Sequence, residues 1–152
     1  MFFKSALDAG LTDFAYRIAD TALTLWQNEC AESYCCFEHF MIESRRGAGW
    51  HQFSGLSSPI VQWFSAYYRP GTLTTGFDAF VRHTDWAPDN SALNATLDFT
   101  AAGRSTVLAV LQPGPKAVTA SVPCTVTTRH DGLLELTFAL DAPCTVTISI
   151  HS

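Results

Sequence analysis

The apolar residues of this 152-residue chain change period partway along it, and that change limits the folds open to it. Residues 11–29, LTDFAYRIADTALTLWQNE, set Phe14, Ile18, Ala22, Leu25 and Trp26 on one stripe at helical spacing. Thr12 or Asp13 offers a cap near the start of that helix. Ser58-Pro59 signals a second helix, with Ser58 as cap and Pro59 in the first helical position. It should run through IVQWFSAYY and stop at Arg69-Pro70-Gly71. A glycine-rich connection, Arg45 to Gly55, joins the two. After about residue 90 the period becomes two: SALNATLDF, STVLAVLQ, CTVTT, LLELTFAL and CTVTISI alternate or run β-branched. Asp131-Gly132 specifies a tight hairpin turn. Val-Pro-Cys-Thr-Val-Thr at 122–127 and Ala-Pro-Cys-Thr-Val-Thr at 142–147 form a short repeat, read as two equivalent strands of one sheet. Helices followed by strands imply segregated layers, hence an α+β fold. The expected division is a helical segment over residues 1–86 and a small antiparallel β-sandwich over 87–152, with the boundary between Phe77 and Asn90.

Charge narrows the functional classes. With 47% hydrophobic residues the chain has ample surface to bury, which excludes disorder. Its 15% charged residues fall well below the average of roughly 25%, which suggests that some apolar surface faces a partner. Net charge is −5 and no run of Lys or Arg occurs, so neither nucleic acid nor an anionic membrane is an expected partner. The longest uncharged stretch, Gly47 to Tyr68, contains Gln, Ser, His and Pro and does not read as a membrane span. The opening MFFKSALDAG lacks an apolar core of useful length for a signal peptide. Five cysteines, an odd number, then read as reduced thiols in a cytoplasmic protein. A metal site of Cys35, Cys36 and His39 can be drawn, but paired Cys-x-x-Cys ligands are missing; neither a metal nor another cofactor is expected.

Chemistry concentrates between Tyr34 and Tyr68. Ten of the nineteen aromatic residues lie between Trp26 and Tyr68, with few charges among them. Aromatic platforms beside a carboxylate suit carbohydrate, because sugar C–H faces pack on rings while hydroxyls need polar partners. Glycoside hydrolysis needs two carboxyl groups, one to protonate the leaving oxygen and one to activate water or attack. Glu38 stands between Phe37 and Phe40 beside His39, where it is either a tuned carboxylate or a solvated residue at a helix end. Glu43 with Arg46 reads as a surface ion pair. His39 and His51 read as hydrogen-bonded structural residues or as members of a site. No G-x-S-x-G elbow, phosphate loop or His-Glu-x-x-His motif is present.

The order Phe37-Glu38-His39-Phe40, Gly47-Ala48-Gly49-Trp50, then Phe53-Ser54-Gly55-Leu56-Ser57-Ser58-Pro59 resembles the last catalytic segment of glycosidases built on an (α/α)6 toroid. The relatives are the families of trehalase, processing α-glucosidase and mannosylglycerate hydrolase. Their pattern is an E-x-Y-like carboxylate, a glycine-rich loop, and an F-x-W-S-like start to the next helix. The resemblance covers residues 11–86; it lacks the usual Trp after Phe53-Ser54, and His39-Phe40 replaces Asn-Tyr. It implies that Glu38 is the general base of an inverting mechanism and that Trp50, His51 and Ser54 lie near the sugar. The β tail resembles in architecture the sandwich that closes some toroid glycosidases.

A complete toroid has twelve helices and needs roughly 300 residues or more. This chain offers two helices, and Asp8, Asp13 and Asp20 lie on an outward stripe, so no partner acid is evident. The expectation is therefore a C-terminal fragment of an inverting glycoside hydrolase acting on α-linked sugars or oligosaccharides, inactive by itself. The alternatives are a non-catalytic carbohydrate-binding or accessory module, and an interaction protein that dimerises through its helices. Partners would be carbohydrate, and either the remainder of the toroid or a second copy meeting its apolar helices. Trp26, Phe64 and Tyr67 are the side chains expected to need such a neighbour.

Overall fold

A computed structural model describes the whole chain apart from residue 53 and the side chains of residues 54–57. It is α+β, with helices α1 (Phe2–Asp8), α2 (Thr12–Ser33) and α3 (Ser54–Tyr68). The strands are β1 (Phe37–Phe40), β2 (Gly47–His51), β3 (Thr72–Thr74), β4 (Ala79–Trp86) and β5 (Leu93–Phe99), then β6 (Gly103–Val110), β7 (Ala117–Ala120), β8 (Cys124–His130), β9 (Leu133–Leu140) and β10 (Cys144–His151). Two compact units form, one from Met1–Ala15 with Ala66–Ser152 and the other from Tyr16–Ser65. Among the described residues no helix is long and apolar enough to cross a membrane.

The larger unit is an antiparallel β-sandwich of two four-stranded sheets, ordered β4-β5-β10-β7 and β3-β6-β9-β8. Period-two alternation supplies its core. Leu93, Ala95, Leu97 and Phe99 of β5 and Val146, Ile148 and Ile150 of β10 meet Val107 and Ala109 of β6 and Leu134, Leu136 and Phe138 of β9. The Phe99 and Phe138 rings tilt together with centroids 5.3 Å apart. At the β8–β9 hairpin Gly132 takes φ +89°, as the Asp131-Gly132 turn requires.

The opposite face of the β6–β9 pair is buried too. Thr106 pairs with Thr137, Leu108 with Glu135 and Val110 with Leu133 across that face. Helix α1 packs on β6 and buries Phe3, Ala6 and Leu7. Tyr67, expected to need a neighbouring helix, is instead fully buried in this unit. Its ring meets Phe3 edge-on at 5.9 Å. The Asp8 carboxylate accepts hydrogen bonds from the Phe77 and Asp78 amides at 2.8 and 3.1 Å, tying the end of α1 to the approach to β4.

Several sequence expectations change. The five alternating segments are strands as read, but β3, β4 and β7 join them, and β3 and β4 lie ahead of residue 87. Strand β3 is three residues long and β4 carries a register shift between Val81 and His83, so neither shows clean alternation. The Val/Ala-Pro-Cys-Thr-Val-Thr repeat leads into β8 and β10, which belong to opposite sheets rather than to one. Helix α3 begins at Ser54, not at Ser58, and holds Pro59 inside it. Proline at this sixth position lacks the amide that would bond the carbonyl four residues back, so α3 forms without that one intrahelical bond.

Candidate functional site on the β1–β2 hairpin

The smaller unit places the expected site residues on a hairpin. Strands β1 and β2 pair antiparallel, with Phe37 opposite His51, His39 opposite Ala48 and Phe40 opposite Gly47. Glu38 therefore stands opposite two residues, Gly49 and Trp50, which makes a bulge. Gly49 takes φ +84°. A Cβ at that position would lie 2.7 Å from Glu38 Oε2 and 3.1 Å from His39 Cε1. Glycine is thus needed twice, for its backbone angle and for the space that lets Glu38 lie across β2. Trp50, beside it, is 74% exposed.

The backbone register sets Glu38 opposite Gly49 and Trp50 at the bulge, and the Glu38 and His39 side chains both come close to Gly49. His51 is at the paired end of β2 and turns elsewhere: its ring tilts against Phe37 at 4.9 Å, and its Nδ1 lies 3.7 Å from Cys35 Sγ. The Ser54 side chain lies outside the described residues. Glu38 belongs to a strand rather than to a helix end or loop, because Phe37, His39 and Phe40 around it pair across to β2.

An anchor that sequence reasoning missed holds the hairpin. Glu29 on α2 is only 4% exposed. It accepts hydrogen bonds from Arg46 Nε at 2.9 Å, Arg46 Nη2 at 3.2 Å and the Gly47 amide at 2.8 Å. Arg46 also reaches Glu32 at 2.7 Å, so it pairs with α2 and not with Glu43 as the spacing suggested. A carboxylate already sequestered near the start of β2 offers a two-point match to the guanidinium, which a neighbouring surface Glu does not. No local sequence pattern links residues 29 and 46; only the folded hairpin does.

Arg46, and after it the Gly47 amide, hold the Glu29 carboxyl down from 4.5 to about 2. A depressed carboxyl stabilises the fold above its unfolded pKa, and that contribution fades as pH falls from 4.5 toward 2. The carboxyl resonance of Glu29 should titrate near 2, and the melting temperature of the chain should drop through that window. In Glu29→Gln this component of the acid dependence should vanish; an unchanged acid profile would show that the Arg46 anchor contributes nothing.

The remaining carboxyls mostly serve the fold. Asp8 holds backbone amides, Asp13 pairs with Arg129, and Glu29 and Glu32 share Arg46. Asp20 lines a groove of about 600 Å³ with Thr24, Leu25, Phe40, Met41 and Arg45, and neither Glu38 nor Trp50 contributes to it. Among the described residues no three His, Cys, Asp or Glu side chains converge as metal ligands do. The bulge can therefore present a carboxylate, an imidazole and an indole face to a ligand from solvent. Comparison with protein-family models, with curated proteins and with solved structures yields no match to this chain.

Proposed function

We propose that the hairpin is the base-bearing element of an inverting glycoside hydrolase acting on α-linked sugars or oligosaccharides. The observation that carries this reading is the Glu38 carboxylate laid over Gly49 next to the exposed Trp50. The indole face stacks on the apolar side of a sugar ring. Glu38 takes a proton from a water that attacks the anomeric carbon opposite the leaving group. The acid that protonates the leaving oxygen comes from elsewhere, from toroid helices that a further segment supplies, since Asp8, Asp13, Glu29 and Glu32 are already engaged. The chain by itself binds sugar without cleaving it. A second reading, a binding module with no catalytic role, is favoured by the open setting of Trp50 away from the groove.

Titration of the chain with a panel of α-linked disaccharides and oligosaccharides, followed by tryptophan fluorescence, tests the shared core of both readings. Trp50→Ala should weaken binding by about tenfold, the loss of one good stacking contact. Glu38→Gln should leave binding nearly unchanged, because the carboxylate acts on water and not on the ring. Absence of any sugar binding by the unaltered chain would overturn both readings, and hydrolysis by the chain alone would overturn the need for an outside acid.

A further inference from the structure

The turn that ends α2 brings a thiol to an imidazole. Tyr34 takes φ +55°, and its amide donates to the Cys30 carbonyl at 3.0 Å. The chain thereby reverses and leads into β1. Cys35 stands two residues before Phe37, and side chains two apart in an extended segment fall on one side. His51 is the cross-strand partner of Phe37, which puts it within diagonal reach of Cys35. The contact is made: Cys35 Sγ lies 3.7 Å from His51 Nδ1. The Phe37 ring, tilted against the imidazole with centroids 4.9 Å apart, orients it toward the sulfur. Cys35 is partly buried and His51 exposed, so a small reagent can reach the pair. Two of the other thiols are less available. Cys30 donates its hydrogen to the Cys35 carbonyl at 3.3 Å, and burial raises the Cys30 and Cys124 thiols above their ordinary value.

We propose that Cys35 and His51 form a nucleophile–base pair that reacts with a low-molecular-weight disulfide, which makes Cys35 a site of reversible S-thiolation. The proposal needs neither Glu38 nor Trp50 and is independent of the sugar reading. In the tautomer protonated on Nε2, His51 Nδ1 accepts the thiol proton as the Cys35 sulfur attacks one sulfur of RSSR. The S–S bond of RSSR breaks, the Cys35–S–S–R bond forms, and the departing RS⁻ takes the proton back from Nδ1. Cys35 is oxidised, and one sulfur of RSSR is reduced and leaves as RSH. Negative charge passes from sulfur to sulfur and never builds on an oxygen, so the step asks for no oxyanion donor. A nucleophile and a proton acceptor suffice, and the pair supplies both. An ordinary thiol is only a few per cent thiolate at neutral pH, so a base in contact with the sulfur raises the rate by about tenfold or more.

The full chain is incubated at neutral pH with oxidised glutathione, sampled over time, quenched with iodoacetamide and digested with a protease that cuts after Glu32, between Cys30 and the Cys35-Cys36 pair. Fragmentation of the peptides in a mass spectrometer then separates Cys35 from Cys36. The first glutathione adduct should form on Cys35, about tenfold faster than on Cys30, Cys36, Cys124 or Cys144, and dithiothreitol should remove it. In His51→Ala the rate at Cys35 should fall about tenfold, while the rates at the other four thiols stay as they were, the sign of an intact fold. Free imidazole should then restore the Cys35 rate in that variant and leave the parent unaffected, a rescue that a merely structural His51 would not give. Equal rates at all five thiols or a first adduct elsewhere would overturn the proposal. So would an unchanged Cys35 rate in His51→Ala, or a loss that imidazole does not restore. The first two outcomes are read on the unaltered chain, so a poorly folding variant cannot rescue it.

Discussion

Arg129→Ala should destabilise the sandwich by about 3–5 kcal/mol, the cost of leaving a buried carboxylate without its partner. Glu135, 2% exposed, lies in the middle of β9 on the face that is covered rather than solvated. Arg129 on β8 donates through Nε to Glu135 Oε1 and through Nη2 to Glu135 Oε2 at 3.3 Å. The same Nη2 reaches Asp13, in the first turn of α2, at 2.7 Å. Glu135, and after it Asp13, raise the Arg129 pKa further above its ordinary value, so the guanidinium stays charged at every accessible pH. Loss of about 3–5 kcal/mol would remove a large part of a domain margin of roughly 5–15 kcal/mol. Asp13→Ala should cost far less, about 0–1 kcal/mol, because that carboxylate is solvent-exposed. Urea unfolding of the two variants beside the parent chain gives the comparison. A shift of less than about 1 kcal/mol for Arg129→Ala would mean that water reaches Glu135 and that the covered face is looser than its packing indicates.

The same strand shows where the sequence was legible and where it was not. LLELTFAL alternates clearly enough to identify β9, and with it the inner core of Leu134, Leu136 and Phe138. Alternation alone assigns Leu133, Glu135 and Thr137 to solvent, yet these residues face a covered surface, Leu133 and Glu135 fully buried. What covers it includes α1, a seven-residue helix with no side-chain cap, too short to announce itself by periodicity. The hairpin was hidden for a related reason. Gly47 and Gly49 carry little strand propensity, so Arg45 to Gly55 reads as a loop, although Phe37 to Phe40 supplies the pairing partner. Glu38 and Trp50 could be singled out from composition, because an aromatic-rich block with few charges is visible in any ordering. Their meeting at a bulge could not, since it depends on a register slip of one residue. The Glu29–Arg46 contact was equally invisible: it depends on the reversal at Tyr34, an exposed aromatic residue in a left-handed conformation that sequence normally assigns to glycine or asparagine.

In a hydrolase completed by the segment that supplies the acid, Glu38→Gln should lower turnover by about 10²–10⁴-fold, the usual contribution of a positioned general base. The amide has the same shape as the carboxylate and fits over Gly49, so the substitution removes basicity and little else. KM should therefore stay close to that of the parent, which separates loss of a base from loss of a sugar contact. Trp50→Ala should show the reverse, a raised KM with turnover less affected. Gly49→Ala provides a second route to the same carboxylate without altering it. The added methyl would press on Glu38 Oε2 at 2.7 Å, on a backbone already at φ +84°, and should reduce turnover by displacing the base from its water. Equal turnover in the completed parent and its Glu38→Gln variant would remove Glu38 from the chemistry. If Glu38→Gln instead abolished sugar binding while the parent never hydrolysed any glycoside, Glu38 would be a ligand contact, and the hairpin would belong to a binding module.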